Sequence, residues 1–142
     1  VELTLVGGGD LRSELDELAR KNQAKVNFAG EVKHEEIVKY LQNSDIFVLP
    51  SLNEGMSNSI LEAMACGLPI ITTNTGGSKE LIDGNGFVIK KKSIASIKKT
   101  LERYLKSRDL IRKHGEKSRE IALGMSWENV SYKYKKIYDQ LA

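Results

Sequence analysis

Two carboxylates and a run of small polar residues make the most informative stretch of this chain. Glu54 and Glu62 bracket Gly55-Met56-Ser57-Asn58-Ser59-Ile60-Leu61, so seven residues separate them. Apolar Ile46-Phe47-Val48-Leu49 runs up to Pro50 on one side. On the other, Ile60, Leu61 and Met64 recur at helical spacing. The stretch reads as a strand, a polar loop and the first turn of a helix. The free N–H groups of such a turn, near Ser57 to Ile60, suit a diphosphate. Gly55 lets the backbone pass close to a ligand, and small side chains at Ser57 and Ser59 leave room for one. Carboxylates beside a diphosphate would repel it, so Glu54 and Glu62 fit the neutral hydroxyls of sugars. A carboxylate accepting from a ribose hydroxyl has a precedent in dinucleotide-binding sheets. A structural alternative stands beside this reading. Ser59 and Glu62 match the Ser-x-x-Glu capping box, which would employ Glu62 on helix N–H groups, and Glu54 would then be an exposed loop residue.

The elements that must position these residues follow from apolar periodicity and its punctuation. Strands are expected at 1–6, 26–28, 45–49, 69–73 and 87–89. Between them fall helical patterns: one capped by Asp10 with Leu11, Leu15 and Leu18 inward, one at about 35–42, and one at about 58–66 ended by Gly67 and Pro69. A short helix follows Gly76-Gly77. After Lys90 only helices are expected, with Ile94, Ile97, Leu101 and Leu105 on one face, a second helix from Leu110, and a third at 127–141 packed to the body through Trp127. Strands alternating with helices mean right-handed crossovers and a Rossmann-like, doubly wound parallel sheet, here with a helical C-terminal cap. Ligands in such sheets lie beyond the strands' carboxyl ends, which selects the loops at 7–10, 29–33, 50–59 and 74–79.

Composition narrows the function classes. The 142 residues fit one globular domain, and no apolar run reaches the length of a membrane-spanning helix. The opening Val1-Glu2-Leu3 reads as a strand inside a longer natural chain rather than as a leader. Residues 1–89 hold 7 Lys and Arg against 13 Asp and Glu, whereas residues 90–142 hold 15 against 6. Lys90-Lys91-Lys92 and Lys133, Lys135 and Lys136 therefore allow contact with an anionic membrane, beside the plainer reading of solvated helix faces. Nothing indicates nucleic acid. Cys66, the single cysteine, reads as a small buried residue in a reducing cytoplasm. His34 and His114 read as separate surface or helix-end residues, and no ligand spacing for a metal is present. Gly7-Gly8-Gly9 lacks the third spaced glycine of a dinucleotide fingerprint and reads as a tight turn.

Taken together, Leu5-Val6-Gly7-Gly8-Gly9, Val26 to Val32, Asp45 to Ser51, the Glu54–Glu62 pair, Glu62 to Ile71, Gly76-Gly77, Glu80-Leu81-Ile82 and Gly84-Asn85-Gly86-Phe87 resemble the C-terminal domain of the family 4 (group 1) glycosyltransferases. The resemblance covers nearly the whole chain and implies one half of a GT-B fold. By it, residues 1–142 are the nucleotide-sugar-binding half of a retaining enzyme that passes a hexose-type sugar to a glycan or lipid-linked acceptor. Polysaccharide or lipopolysaccharide synthesis at the cytoplasmic face of a membrane would follow. Glu54 would be the catalytic residue, holding the transferred sugar. Glu62 would hold the ribose, the N–H groups of Asn58, Ser59 and Ile60 the diphosphate, with Gly55, Met56 and Ser57 around the donor. Gly30, Glu31 and Val32 would line the base. The donor would be a UDP-sugar, with a GDP-sugar as the alternative, and no metal or other cofactor is expected.

Two departures qualify the match. The family's upstream Arg and Lys, which neutralise the leaving diphosphate, and its acceptor-binding N-terminal domain are not in this sequence. The proline that commonly precedes Glu80 is Lys79 here. Lys79 fits either a phosphate contact or a solvated helix charge. Two further functions suit the same architecture: a nucleotide-sugar epimerase, and a non-catalytic α/β interaction domain.

Overall fold

The computed structural model describes residues 1–141 and divides into two compact units, Val1–Tyr40 and Leu41 onward. In the first, β1 (Leu3–Val6) pairs in parallel with β2 (Val26–Gly30), joined through α1 (Arg12–Lys21). The register slips between Leu5 and Val6, so that Val6 lies opposite Gly30. The helix α1 starts one residue later than Asp10 would set it. Leu11 is its N-cap, in helical conformation; leucine has no side-chain acceptor to offer, and the Arg12 N–H goes to the Gly9 carbonyl. The Leu11, Leu15 and Leu18 stripe expected to face inward is exposed. The helix α2 (His34–Gln42) follows, with Leu41 buried and Ile37 and Tyr40 half-buried.

In the second unit β3 (Phe47–Leu49), β4 (Ile70–Thr73) and β5 (Gly86–Ile89) form a parallel sheet in the order β3-β4-β5. The central strand is buried at all four residues. Ile70 and Ile71 point to opposite faces, and both are fully buried, so the sheet is covered on both sides. This is why β4 is apolar without alternation. On one face Ile71 and Ile89 meet Tyr104, with Val48, Phe87, Ile97 and Leu101 around them. The connection from β3 to β4 runs through α3 (Asn58–Ala65), which buries Ile60, Ala63 and Met64.

The sequence ends α3 by a recognisable device. Leu68 N–H donates to the Ala63 carbonyl and Gly67 N–H to that of Met64, a paired closure that needs a left-handed residue at Gly67, whose φ is +76°. The helical C-terminal cap is α4 (Ile94–Lys106), α5 (Arg108–Gly124) and α6 (Trp127–Leu141). Ser93 and Ser107 cap α4 and α5 through their hydroxyls, which accept the Ser96 and Leu110 N–H groups at 3.2 Å. The inward stripe of α4 is Ile97, Thr100, Leu101 and Tyr104. Ile94 and Leu105, expected on it, are exposed; a phenol ring and a threonine took the places that a purely aliphatic count assigned to them. Trp127 does not pack to the body: it is 89% exposed, and α6 buries no residue.

Candidate functional site

The loop after β3 and the start of α3 carry the predicted donor residues. Ser57 is the N-cap of α3, in extended conformation and with no side-chain capping bond. The first bond into the helix runs from Leu61 N–H to the Ser57 carbonyl, which leaves the N–H groups of Asn58, Ser59 and Ile60 without acceptors inside the helix. Ser59 lies two residues inside the helix, so the capping-box explanation of Glu62 fails. Ser57 is buried, Ile60 is in the core, and Asn58 and Ser59 are exposed at the strand's carboxyl end. Glu54 and Glu62 are both half-buried, while Gly55 and Met56 stand in solvent.

The loop bearing Glu54 is held from two directions. The β3–β4 ladder stops at Leu49 opposite Thr72, because Pro50 has no N–H to continue it. Beyond that point Thr73 hydroxyl donates to the Ser51 carbonyl, and Thr72 hydroxyl donates to the Leu49 carbonyl at 3.2 Å. Ser51 hydroxyl in turn donates to Glu54 Oε2 at 3.3 Å. From the other direction comes the 3-10 helix Gly76–Leu81, the short helix expected after Gly76-Gly77. Gly77 N–H donates to the Gly55 carbonyl at 3.2 Å. Gly76, at φ +42°, lies so close that a Cβ there would fall 2.1 Å from the Glu54 carbonyl oxygen. Only glycine fits that position. Lys79 is exposed on the same short helix.

The predicted base-lining residues lie in the first unit. Gly30 ends β2 at φ +73°, Glu31 is exposed and Val32 half-buried. The Gly7-Gly8-Gly9 turn belongs beside them, since a Cβ on Gly8 would sit 2.8 Å from the Glu31 side chain. Arg12 stacks 4.3 Å above the Phe28 ring. Spacing alone did not pair Gly8 with Glu31; the parallel register of β1 and β2 does.

Other groups singled out from the sequence do different work. Cys66 is half-buried at the end of α3, and desolvation raises its thiol pKa, partly countered by Arg119. It is not activated as a nucleophile. His114 is not a surface residue: its Nδ1 and the Tyr104 hydroxyl are 2.8 Å apart, and its ring packs on Phe87. Burial, then Arg103, holds His114 below the ordinary histidine value, and burial pushes the phenol well above its own. Buried Asn85 receives the Asp83 N–H on Oδ1 at 2.8 Å and donates to the Leu81 carbonyl and Ser118 hydroxyl, fixing the turn into β5. Among the described residues no group of three or more His, Cys, Asp or Glu is placed to share a metal. Nor is any helix among them long and apolar enough to cross a membrane.

Parallel β-α units in this arrangement are shared with the halves of GT-B glycosyltransferases. Sucrose-phosphate synthase from Thermosynechococcus elongatus matches at a TM-score of 0.84 with 26% identity, over 99% of this chain and 38% of that one. The chain belongs to the family Glycosyl transferases group 1, whose pattern matches residues 1–121. The N,N'-diacetylbacillosaminyl-diphospho-undecaprenol alpha-1,3-N-acetylgalactosaminyltransferase of Campylobacter jejuni is 32% identical over 139 residues, 96% of this chain and 36% of that protein. In fold alone the chain also matches Anabaena HepE, solved in complex with UDP-glucose, at a TM-score of 0.81 and 22% identity over 99% of this chain and 40% of that one. This chain therefore spans well under half the length of each of these proteins.

Proposed function

We propose that the chain is the donor-binding, C-terminal half of a retaining glycosyltransferase that uses a nucleotide-diphosphate sugar, UDP-linked in preference to GDP-linked. The observation that carries this is the start of α3. Three N–H groups without helical acceptors follow a loop whose half-buried Glu54 is held in place by its neighbours. Such N–H groups stabilise the negative charge that grows on a departing diphosphate, with no covalent nucleophile and no metal needed for the step. Glu54 binds hydroxyls of the transferred hexose and offsets positive charge developing at its anomeric carbon. Glu62, one turn into α3, takes the ribose hydroxyls, and Gly30, Glu31 and Val32 take the base.

The acceptor is a glycan or a lipid-linked carrier in cell-surface polysaccharide or lipopolysaccharide assembly. The diphospho-undecaprenol in the name of the Campylobacter relative supports this reading. The cytoplasmic face of a membrane is the proposed place. The excess of lysine and arginine beyond residue 90 favours an anionic surface there. Binding to anionic vesicles that weakens with salt would agree, and no binding at low salt would remove the membrane from the account.

In the full-length protein, Glu54→Gln is expected to cut sugar transfer about a hundredfold or more while nucleotide affinity holds. Normal turnover by that variant would end the assignment. Titrating the labelled protein with UDP, GDP and ADP names the base: the nucleotide that shifts the amides of residues 30–32 and 54–62 is the donor's.

A further inference from the structure

The Glu54 carboxylate has one hydrogen-bond donor among the described residues, the Ser51 hydroxyl on Oε2. Oε1 is left for a ligand. Ser51 itself is not free to drift. Its carbonyl is gripped by Thr73, a residue 1% exposed at the end of the central strand. A fully buried strand position with no ligand to serve would be filled at less cost by valine, which has nearly the same shape and no hydroxyl to satisfy. Here two successive buried threonines donate their hydroxyls, Thr72 to the carbonyl of Leu49, the last residue of β3, and Thr73 to that of Ser51 in the loop beyond it. The path from the rigid sheet to the carboxylate is short: Thr73 hydroxyl, Ser51 carbonyl, Ser51 hydroxyl, Glu54 Oε2.

We infer that Ser51 is a positioning residue that selects the orientation of the Glu54 carboxylate, and that Thr73 anchors Ser51 for this purpose. The role of Glu54 toward sugar rests on the function proposed above, but its orientation by Ser51 does not. At 3.3 Å the bond is longer than a typical hydroxyl–carboxylate contact, so Ser51 biases the carboxylate rather than locking it. Removing the bias should let the Glu54 side chain sample other χ1 wells and so reduce the fraction of time that a carboxylate oxygen faces the ligand. Gly76 and Gly77 hold the main chain of the loop whatever Ser51 does, so Ser51→Ala should leave the loop folded.

Two readouts on the full-length protein test this. The first needs no donor: side-chain couplings of Glu54, measured with carbon-13-labelled glutamate and assigned by Glu54→Gln. They are expected to report one dominant χ1 rotamer in the wild type and in Ser51→Thr, and averaging in Ser51→Ala and Thr73→Val. Unchanged couplings in Ser51→Ala would overturn the inference. The second is kinetic, with UDP- and GDP-linked hexoses as donors. Ser51→Ala should lower kcat about tenfold with KM for the donor within about twofold, and Ser51→Thr should restore it. Added to Glu54→Gln, Ser51→Ala should cost nothing further. Equal losses in both backgrounds would overturn the inference, because Ser51 would then act independently of the carboxylate. Normal turnover by Glu54→Gln with rotamer averaging in Ser51→Ala would instead sink the proposed function and leave the positioning intact.

Discussion

The residues Val1–Tyr40 and those from Leu41 onward are built from the same strand-turn-helix pattern, yet they differ completely in burial. None of the first forty residues is buried, and α1 presents Leu11, Leu15 and Leu18 to solvent. The second unit closes around Ile60, Met64, Ile70, Ile71, Leu81 and Tyr104, each at most 1% exposed. Both regions show amphipathic helices in the sequence. An apolar stripe therefore states a need for cover, and it does not show where that cover comes from.

The difference can be broken or sharpened by experiment. The largest effect should come from Gly115→Ala. A Cβ there would meet the Gly67 carbonyl oxygen at 2.3 Å, where α5 lies against the end of α3. Backbone must move on both sides, and a loss of about 3 kcal/mol or more in chemical denaturation is expected. Next, Ile71→Ala should cost about 3–4 kcal/mol as a core cavity, whereas Leu15→Ala, on the exposed stripe, should stay within about 0.5 kcal/mol. Comparable losses for the two would show that the first unit has a core after all. Amide exchange should agree, with β1 and β2 exchanging well ahead of β4.

A smaller effect concerns pH and belongs to the second unit alone. His114 is held below its ordinary value in the folded chain, mainly by burial. Just below that ordinary value the unfolded chain binds the extra proton and the folded chain does not. This contribution is therefore whole above about pH 6.5 and falls as pH drops toward the folded value. The denaturant midpoint should decrease between pH 7 and pH 5, and His114→Gln should flatten that slope. An unchanged slope in the variant would mean other groups carry it.

Local features of the site were legible in the sequence, because each is written in consecutive residues. The apolar run into Pro50, the helix periodicity after Ser57 and the Glu54–Glu62 spacing needed nothing else. Long-range features were hidden. Gly76 is 22 positions from Glu54, and nothing in Thr75-Gly76-Gly77 announces that the glycine must fit under a particular carbonyl. A signal for Thr73 did exist: two threonines inside an otherwise aliphatic buried strand are polar groups in search of acceptors. The α4 stripe was misplaced because Tyr104 buries its ring and also satisfies its hydroxyl on His114, a partner ten residues away on the next helix.

The exposure of Trp127 has a practical consequence. It is the chain's single tryptophan, and it stands exposed on α6, a helix that buries no residue. Its fluorescence will look much the same whether the second unit is folded or not, so an emission-based melt would miss the main transition. The same indole becomes a selective reporter of anything that later covers α6. A blue shift on adding vesicles or another polypeptide segment would register that event against an almost silent background.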